Sequence, residues 1–267
     1  MGKLFVVTRW ICHALSMTQN IYDNSDFFQE YSRMDRSLHG LTGAPEWRSL
    51  QSMLPDLRGT RVLDLGCGFG WFSRWAREQG AQSVLGFDVS ENMLKRAIEM
   101  TSDEAVVYRR LDLEQIELPE AAFDLVFSSL VLHYVENLTR VFRSIHRALA
   151  PGGLFVFSTE HPIYTAPRRP EWLIQKGGCR TWPVDQYLAE GPRMTDWLTK
   201  EVIKQHRTIG TTVNLLCHSG FALTHLEEWG PTEDQIAAHP EWAEHRDRPM
   251  FLLISARKQG EALKAAS

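Results

Sequence analysis

Three glycines and an acid hold the most readable chemistry in the chain. Gly66, Gly68 and Gly70 stand in the run LGCGFGW, and Asp88 follows Gly66 by twenty-two residues. Glycines at this spacing make a turn where backbone can approach a ligand with no side chain in the way. An acid that far along a nucleotide-binding strand–helix–strand unit can accept from the two hydroxyls of a ribose. The combination is suited to holding an adenosine-type ligand. Asp64, just before the turn, adds a second acid.

The elements that must position these residues follow from the pattern. Val62, Leu63 and Leu65 are apolar on both faces, as a buried parallel strand requires. A helix is expected from about Trp71 to Gln79 with Gly80 past its end, then a strand from Ser83 to Phe87 that delivers Asp88. Ser90 can cap a helix from Glu91 to about Met100. A third strand, about Val106 to Leu111, leads to Asp112, and a fourth, Asp124 to Phe127, runs into Ser128. A helix from Leu138 to Leu149 stops at Pro151-Gly152-Gly153, and a fifth strand spans Leu154 to Ser158. Phe221 to Trp229 and Met250 to Ala256 read as antiparallel closing strands. This order predicts an α/β fold: a doubly wound, Rossmann-like seven-stranded sheet, mostly parallel with one antiparallel strand and helices on both faces. Ligands in such sheets sit beyond the carboxyl ends of the strands, where Gly66, Asp88, Asp112, Ser128 and Glu160 fall.

A dinucleotide fold would show G-x-G-x-x-G, but here the place of the last glycine is taken by Trp71. With Asp64, the G-C-G-F-G turn and the ribose acid, the chain resembles the class I S-adenosylmethionine-dependent methyltransferases, in particular the type-11 family of small-molecule methyltransferases. The resemblance implies S-adenosyl-L-methionine as cofactor and S-adenosyl-L-homocysteine as product. It implies a cofactor site built from Asp64, Gly66, Gly68, Gly70, Asp88, Val89, Asp112, Leu113 and Ser128, with Asp112 facing the adenine amino group and the Leu113 N–H a ring nitrogen. In the family, N-terminal helices close over the cofactor. Arg36 is then the best partner for the methionine carboxylate, since a guanidinium pairs well with a carboxylate. The resemblance also implies a substrate cap inserted after the fifth strand.

These expectations divide the chain into an extension outside the fold (1–17), a helical lid (18–58), a cofactor-binding core (59–160), the cap (161–205), a C-terminal helix with closing strands (206–258) and a tail (259–267). Five prolines between Glu160 and Lys204 preclude one long helix, and Trp172, Trp182, Trp197, Tyr164 and Tyr187 suggest an aromatic wall.

Methyl transfer from a sulfonium is an in-line displacement in which the protein aligns the reactants, excludes water and removes a proton where the acceptor carries one. A neutral histidine suits that last task. His133, His161 and His206 all fall at the ligand-bearing edge, and position does not separate them; catalysis by proximity alone is the other option. The stretch Ser128-Ser129-Leu130-Val131 lacks the paired prolines that methyltransferases of base amines and glutamine carry there. An O, N or C nucleophile of a small metabolite is the leading expectation. A tRNA or protein methyltransferase would want a basic face, for which Arg109-Arg110 and Arg168-Arg169 are thin support. A non-catalytic cofactor binder is the third reading.

Composition sets outer bounds. A net charge of −4 over 267 residues gives no electrostatic reason to expect a nucleic-acid partner. Cys12, Cys67, Cys179 and Cys217 lie far apart, and the ten histidines show no metal-ligand spacing, so neither a disulfide framework nor a metal is expected. The first sixteen residues are broken by Lys3, Arg9 and His13 and are too short to span a bilayer. A cytoplasmic protein without membrane contact, monomer or dimer, is the simple expectation.

Overall fold

The computed structural model describes residues 18–259. The expected extension at 1–17, and the tail beyond residue 259, lie outside the described residues. The prelude is helical in short pieces: α1 (Ser25–Ser32), α2 (Asp35–Leu38) and α3 (Trp47–Ser52). Asn24 caps α1, because its side-chain oxygen accepts from the N–H groups of both Asp26 and Phe27.

The core alternates β1 (Arg61–Leu65), α4 (Trp71–Glu78), β2 (Ser83–Asp88), α5 (Glu91–Glu99), β3 (Val106–Arg110), β4 (Phe123–Ser129), α6 (Leu138–Ala148) and β5 (Leu149–Glu160). The cap follows as α7 (Pro162–Thr165), the small hairpin β6 (Leu173–Ile174) with β7 (Arg180–Thr181), and the hairpin β8 (Gly191–Trp197) with β9 (Thr199–His206). The chain ends with α8 (Ile209–His218), β10 (Phe221–Trp229), α9 (Glu233–Ala238) and β11 (Phe251–Lys258).

Seven strands form one sheet in the order β10-β11-β5-β4-β1-β2-β3. β11 runs antiparallel to both neighbours, while the core strands pair in parallel. Alternation along each strand feeds two cores, as a sheet covered on both faces demands. Leu63, Val126, Phe155 and Ile254 pack with Phe142 and Ile145 of α6 on one face. Val62, Leu125, Phe127 and Leu253 pack with Trp47 of α3 and Phe72 of α4 on the other. Phe72 and Phe127 stack with ring centroids 3.7 Å apart.

One element differs from expectation. The fifth strand begins at Leu149 and carries Pro151-Gly152-Gly153 inside it. Phe123 pairs with Leu149 and Leu125 with Leu154, so the four residues Ala150 to Gly153 bulge out of the ladder instead of ending it. Gly152, at φ +77°, supplies the left-handed backbone the bulge needs. Among the described residues no helix is long and apolar enough to cross a membrane.

Candidate active site

A cavity of about 420 Å³ opens at the carboxyl ends of β1, β2, β4 and β5. The three glycines that precede α4 serve it differently. A Cβ on Gly66 would lie 2.1 Å from Val131 Cγ2, and one on Gly70 would lie 2.1 Å from the Tyr108 hydroxyl, so both positions are tightly packed; of the two, Gly66 lines the cavity. A Cβ on Gly68 would meet nothing within 4 Å, and Gly68 lines the cavity. Its φ of +52° also favours glycine. This is a cradle that a side chain would fill, and it fits the approach of a ligand to backbone.

Asp88 stands beside it. Its two carboxylate oxygens accept the N–H groups of Gly68 and Ser90, each at 2.9 Å. Burial lifts its pKa to about 6 against the pull of these bonds. Each oxygen keeps a further lone pair, so the carboxylate can still accept from a ribose. Val89, Asp112 and Leu113 line the same end. Arg36 reaches in from α2, its Nη2 3.2 Å from both oxygens of the buried Glu46. Its Nε and Nη1 have no protein partner among the described residues, leaving donors for a carboxylate. The residues present therefore fit an adenosine-bearing ligand with an acidic tail.

Three expected cofactor residues sit elsewhere. Asp64 is 2% exposed, takes the Ser73 hydroxyl at 2.6 Å and ties β1 to α4 beneath the turn. Burial lifts its pKa to about 7. Ser128 is fully buried and bonds the Leu65 carbonyl at 2.9 Å, because alternation along β4 turns Ser129, not Ser128, toward the cavity. Gly70 backs onto Tyr108, as above. Asp112 is on the wall but already engaged, accepting the Thr18 N–H at 3.1 Å and the Thr18 hydroxyl at 2.7 Å.

The histidines separate cleanly. His206 has both ring nitrogens bound inside the cap, to the Thr165 hydroxyl at 2.8 Å and the Tyr187 carbonyl at 2.9 Å. His161 caps α7 by accepting the Ile163 N–H through Nδ1 and holds Glu228 through Nε2 at 2.8 Å. Neither lines the cavity, so the structure does not bring these two to the ligand. His133 does line it. Burial lowers its pKa to about 4, with Glu160 opposing and Lys204 and Arg207 reinforcing. It is neutral near pH 7, and its Nδ1 faces the Glu160 N–H at 3.4 Å.

The far end of the cavity is aromatic and comes largely from sequence-distant segments: Tyr22, Tyr134, Tyr164, Trp197, Trp229 and Trp242. Glu160 ends β5 on this wall. One of its oxygens pairs with the buried Lys204 Nζ, whereas Oε2 is buried with no hydrogen-bond partner. Lys204 Nζ also lies 4.6 Å from the ring centroid of Trp197. A strap, Thr18 to Asp23, crosses the rim. Gln19 exchanges bonds with the Glu201 carbonyl and the Ile203 N–H of β9, both at 2.9 Å. Asp23 takes the Ser90 hydroxyl at 2.6 Å and the Asn92 N–H at 3.1 Å, at the start of α5. Burial works against its charge, but these bonds hold its carboxyl below the usual range. Behind the cavity, the Arg248 guanidinium lies 4.7, 4.3 and 5.5 Å from the rings of Tyr164, Trp182 and Trp172 and clamps the cap to the C-terminal segment.

The strap residues Thr18 and Gln19 were not among the expected site residues, whereas Glu160 was expected at the ligand-bearing edge. Glu160 carried a signal, its place at a strand's carboxyl end, but Thr18 and Gln19 carried none.

Comparison with known proteins agrees with the geometry. The family profile described as "Methyltransferase domain" matches residues 63–157. The chain is 61% identical to an S-adenosylmethionine dependent methyltransferase from Mesorhizobium loti, whose crystal structure superposes with a TM-score of 0.79 over 82% of this chain and 100% of that one. It is 35% identical over 248 residues to an uncharacterized protein of Haemophilus influenzae, 90% of this chain and 97% of the other. It is 41% identical over 101 residues to the malonyl-[acyl-carrier protein] O-methyltransferase of Serratia marcescens, a match that spans 38% of either chain.

Proposed function

The chain belongs to the class I S-adenosylmethionine-dependent methyltransferases of type 11, and from that premise we propose that it methylates an O, N or C nucleophile of a small metabolite by in-line displacement. One observation carries the reading: the glycine cradle and the aromatic wall share a single cavity of about 420 Å³. That is the scale of a small-molecule site. S-adenosylmethionine supplies the methyl group on a sulfonium, a leaving group that needs no covalent help from protein.

The chain's own residues bind, align and shield. Gly68 gives the ligand backbone to lie against, and the Asp88 carboxylate accepts from its ribose. The free donors of Arg36 take its carboxylate, and Asp112 with the Leu113 N–H reads its adenine once Thr18 shares or yields the Asp112 oxygens. The aromatic wall excludes water from the acceptor end. Of the three histidines, His133 alone lines the cavity and is our candidate to receive a proton, which requires its Nδ1 to release the Glu160 N–H; proximity supplies the rest of the acceleration. An acceptor on tRNA or protein would have to reach past the strap and the cap, and a cytoplasmic setting accords with the chemistry.

The test is incubation with methyl-labelled S-adenosylmethionine and an extract of the encoding organism, separated into small molecules, RNA and protein. Label among small molecules is the expected result. Label in RNA or protein overturns the reading, and no label with cofactor bound makes the chain a binder.

A further inference from the structure

The aromatic rings that line the cavity fall into two groups. Tyr164, Trp197 and Phe251 already face a cation of the protein: Arg248, Lys204 and Arg36, at 4.7, 4.6 and 5.8 Å from the ring centroids. Tyr22, Tyr31 and Tyr134 also line the cavity, and among the described residues no cation lies over any of them. These three are joined to one another. The Tyr22 ring stands 5.1 Å from Tyr31 at 87° and 6.0 Å from Tyr134 at 85°, so it meets each neighbour edge to face. Phe27, fully buried and outside the cavity lining, packs on both Tyr22 and Tyr31. Electron-rich rings set at right angles around one corner, with a buried ring behind them, suit a soft cation. Phe87, Trp229 and Trp242 lack a cation too, but they make no ring contact with one another.

Their place in the cavity selects the cation. Burial raises the pKa of the Tyr22 hydroxyl well above its usual value, with Tyr134, Tyr31 and Asp88 adding to the rise. Burial also raises that of Tyr31, with Arg36 opposing and Asp88 reinforcing. Burial works against the charge of Arg36, while Glu46, Tyr31 and Tyr22 support it. Tyr22 and Tyr31 therefore lie within electrostatic reach of both Asp88 and Arg36, and both hydroxyls are neutral near pH 7. In S-adenosylmethionine the sulfonium is the atom that joins the ribose to the chain bearing the carboxylate. With the ribose at Asp88 and the carboxylate at Arg36, the sulfur falls between these two anchors, beside the tyrosines.

We infer that Tyr22, Tyr31 and Tyr134 form the seat of the cofactor's sulfonium, and that through them the site prefers S-adenosylmethionine to S-adenosylhomocysteine. This deepens the cofactor placement proposed above and rests on it, and it holds for any methyl acceptor. The sulfonium carries a full positive charge, whereas the sulfur of S-adenosylhomocysteine is a neutral thioether. The two molecules otherwise offer the same adenine, ribose and carboxylate to the same residues. The rings therefore favour one ligand over the other, and the spent cofactor loses their hold once its methyl has gone.

The test is calorimetric titration of the full-length protein with S-adenosylmethionine and, separately, with S-adenosylhomocysteine. The wild-type Kd is expected to be lower for S-adenosylmethionine, and equal or reversed affinities overturn the preference. Tyr31→Leu is expected to weaken S-adenosylmethionine about fivefold while S-adenosylhomocysteine stays within twofold. Equal losses for both ligands would make Tyr31 a packing residue and overturn its role. Tyr31→Phe keeps the ring and is expected to keep the wild-type ratio of the two Kd values. A ratio as low as that of the leucine variant overturns the ring as the recognising group. The wild-type comparison decides the preference even where Tyr31→Leu folds poorly. Asp88→Ala is expected to weaken both ligands alike, because both carry the ribose. Unchanged affinity for both sinks the parent placement of the cofactor, a result distinct from equal losses at Tyr31.

Discussion

Gly68→Ala separates a binding glycine from a packing one. In the free protein the new methyl enters open space, so the cost is backbone strain alone, roughly 1–2 kcal/mol for alanine at φ +52°. For a chain of this size that is a fall in Tm of about 2–8 °C. Gly68 lines the cavity, and its own N–H bonds the Asp88 carboxylate at 2.9 Å. A ligand seated there must shift, and a tenfold loss of affinity, about 1.4 kcal/mol, is the least expected. Gly66→Ala is the comparison, at a residue that also lines the cavity but is tightly packed. Its Cβ would lie 2.1 Å from Val131 Cγ2, adding overpacking of roughly 1–3 kcal/mol to the same strain. Calorimetric titration with S-adenosylmethionine beside thermal unfolding reads both terms. Gly68→Ala should lose affinity with little stability, and Gly66→Ala should lose more stability. A Gly68→Ala protein that binds within twofold of wild type refutes the assignment of the cradle.

Burial lifts Asp64 to about 7 and Asp88 to about 6. Between pH 4 and 7 the folded chain thus holds protons that the unfolded chain has released, and stability should fall as pH rises through that window, with the full cost present above it. Asp64→Asn keeps an acceptor for Ser73 and should remove much of the slope, on the order of 3–4 kcal/mol by pH 8, as urea unfolding at pH 4 and pH 8 would show. His206→Ala breaks two buried bonds and should cost about 2–4 kcal/mol of stability. His133→Ala should instead cut the methylation rate with a smaller shift in Tm; the reverse pattern would move the catalytic role off His133. Arg248→Met removes the guanidinium from three rings and should loosen the cap by about 2 kcal/mol, read as faster proteolysis within residues 166–190.

What the string of letters disclosed depended on how far apart the cooperating residues lie. The order of strands was legible because Val62 to Leu65, Leu125 to Phe127 and Phe155 to Phe157 each announce a two-faced strand within a few residues. The cradle and Asp88 were legible because one local unit builds both. Ser128 and Ser129 were not separable, since the choice between them is a matter of which way a pleat faces. The three histidines looked alike for a similar reason. Each lies at or just past the end of a strand, and what divides them is whether Thr165, Tyr187 or Glu228, all distant in sequence, has already claimed the ring. The acceptor wall was legible in part: of the expected aromatic set Tyr164 and Trp197 line the cavity and Trp172, Trp182 and Tyr187 do not, while Tyr22, Trp229 and Trp242 join it only after the sheet has closed.

The strap from Thr18 to Asp23 touches both ends of the cavity, and this has a bearing on how ligands come and go. A cofactor leaving past Asp112 must release Thr18, and Thr18 adjoins Gln19, whose two bonds hold β9 over the acceptor end. Traffic at one end is thereby felt at the other, and the cavity loads and empties as one compartment. At about 0.5–1.5 kcal/mol net per bond, freeing the strap costs several kcal/mol, enough for opening, and not bond-making, to set the pace of repeated turnovers. Steady-state kcat would then fall with solvent viscosity while the rate of a single turnover, measured on the preloaded protein, would hold steady.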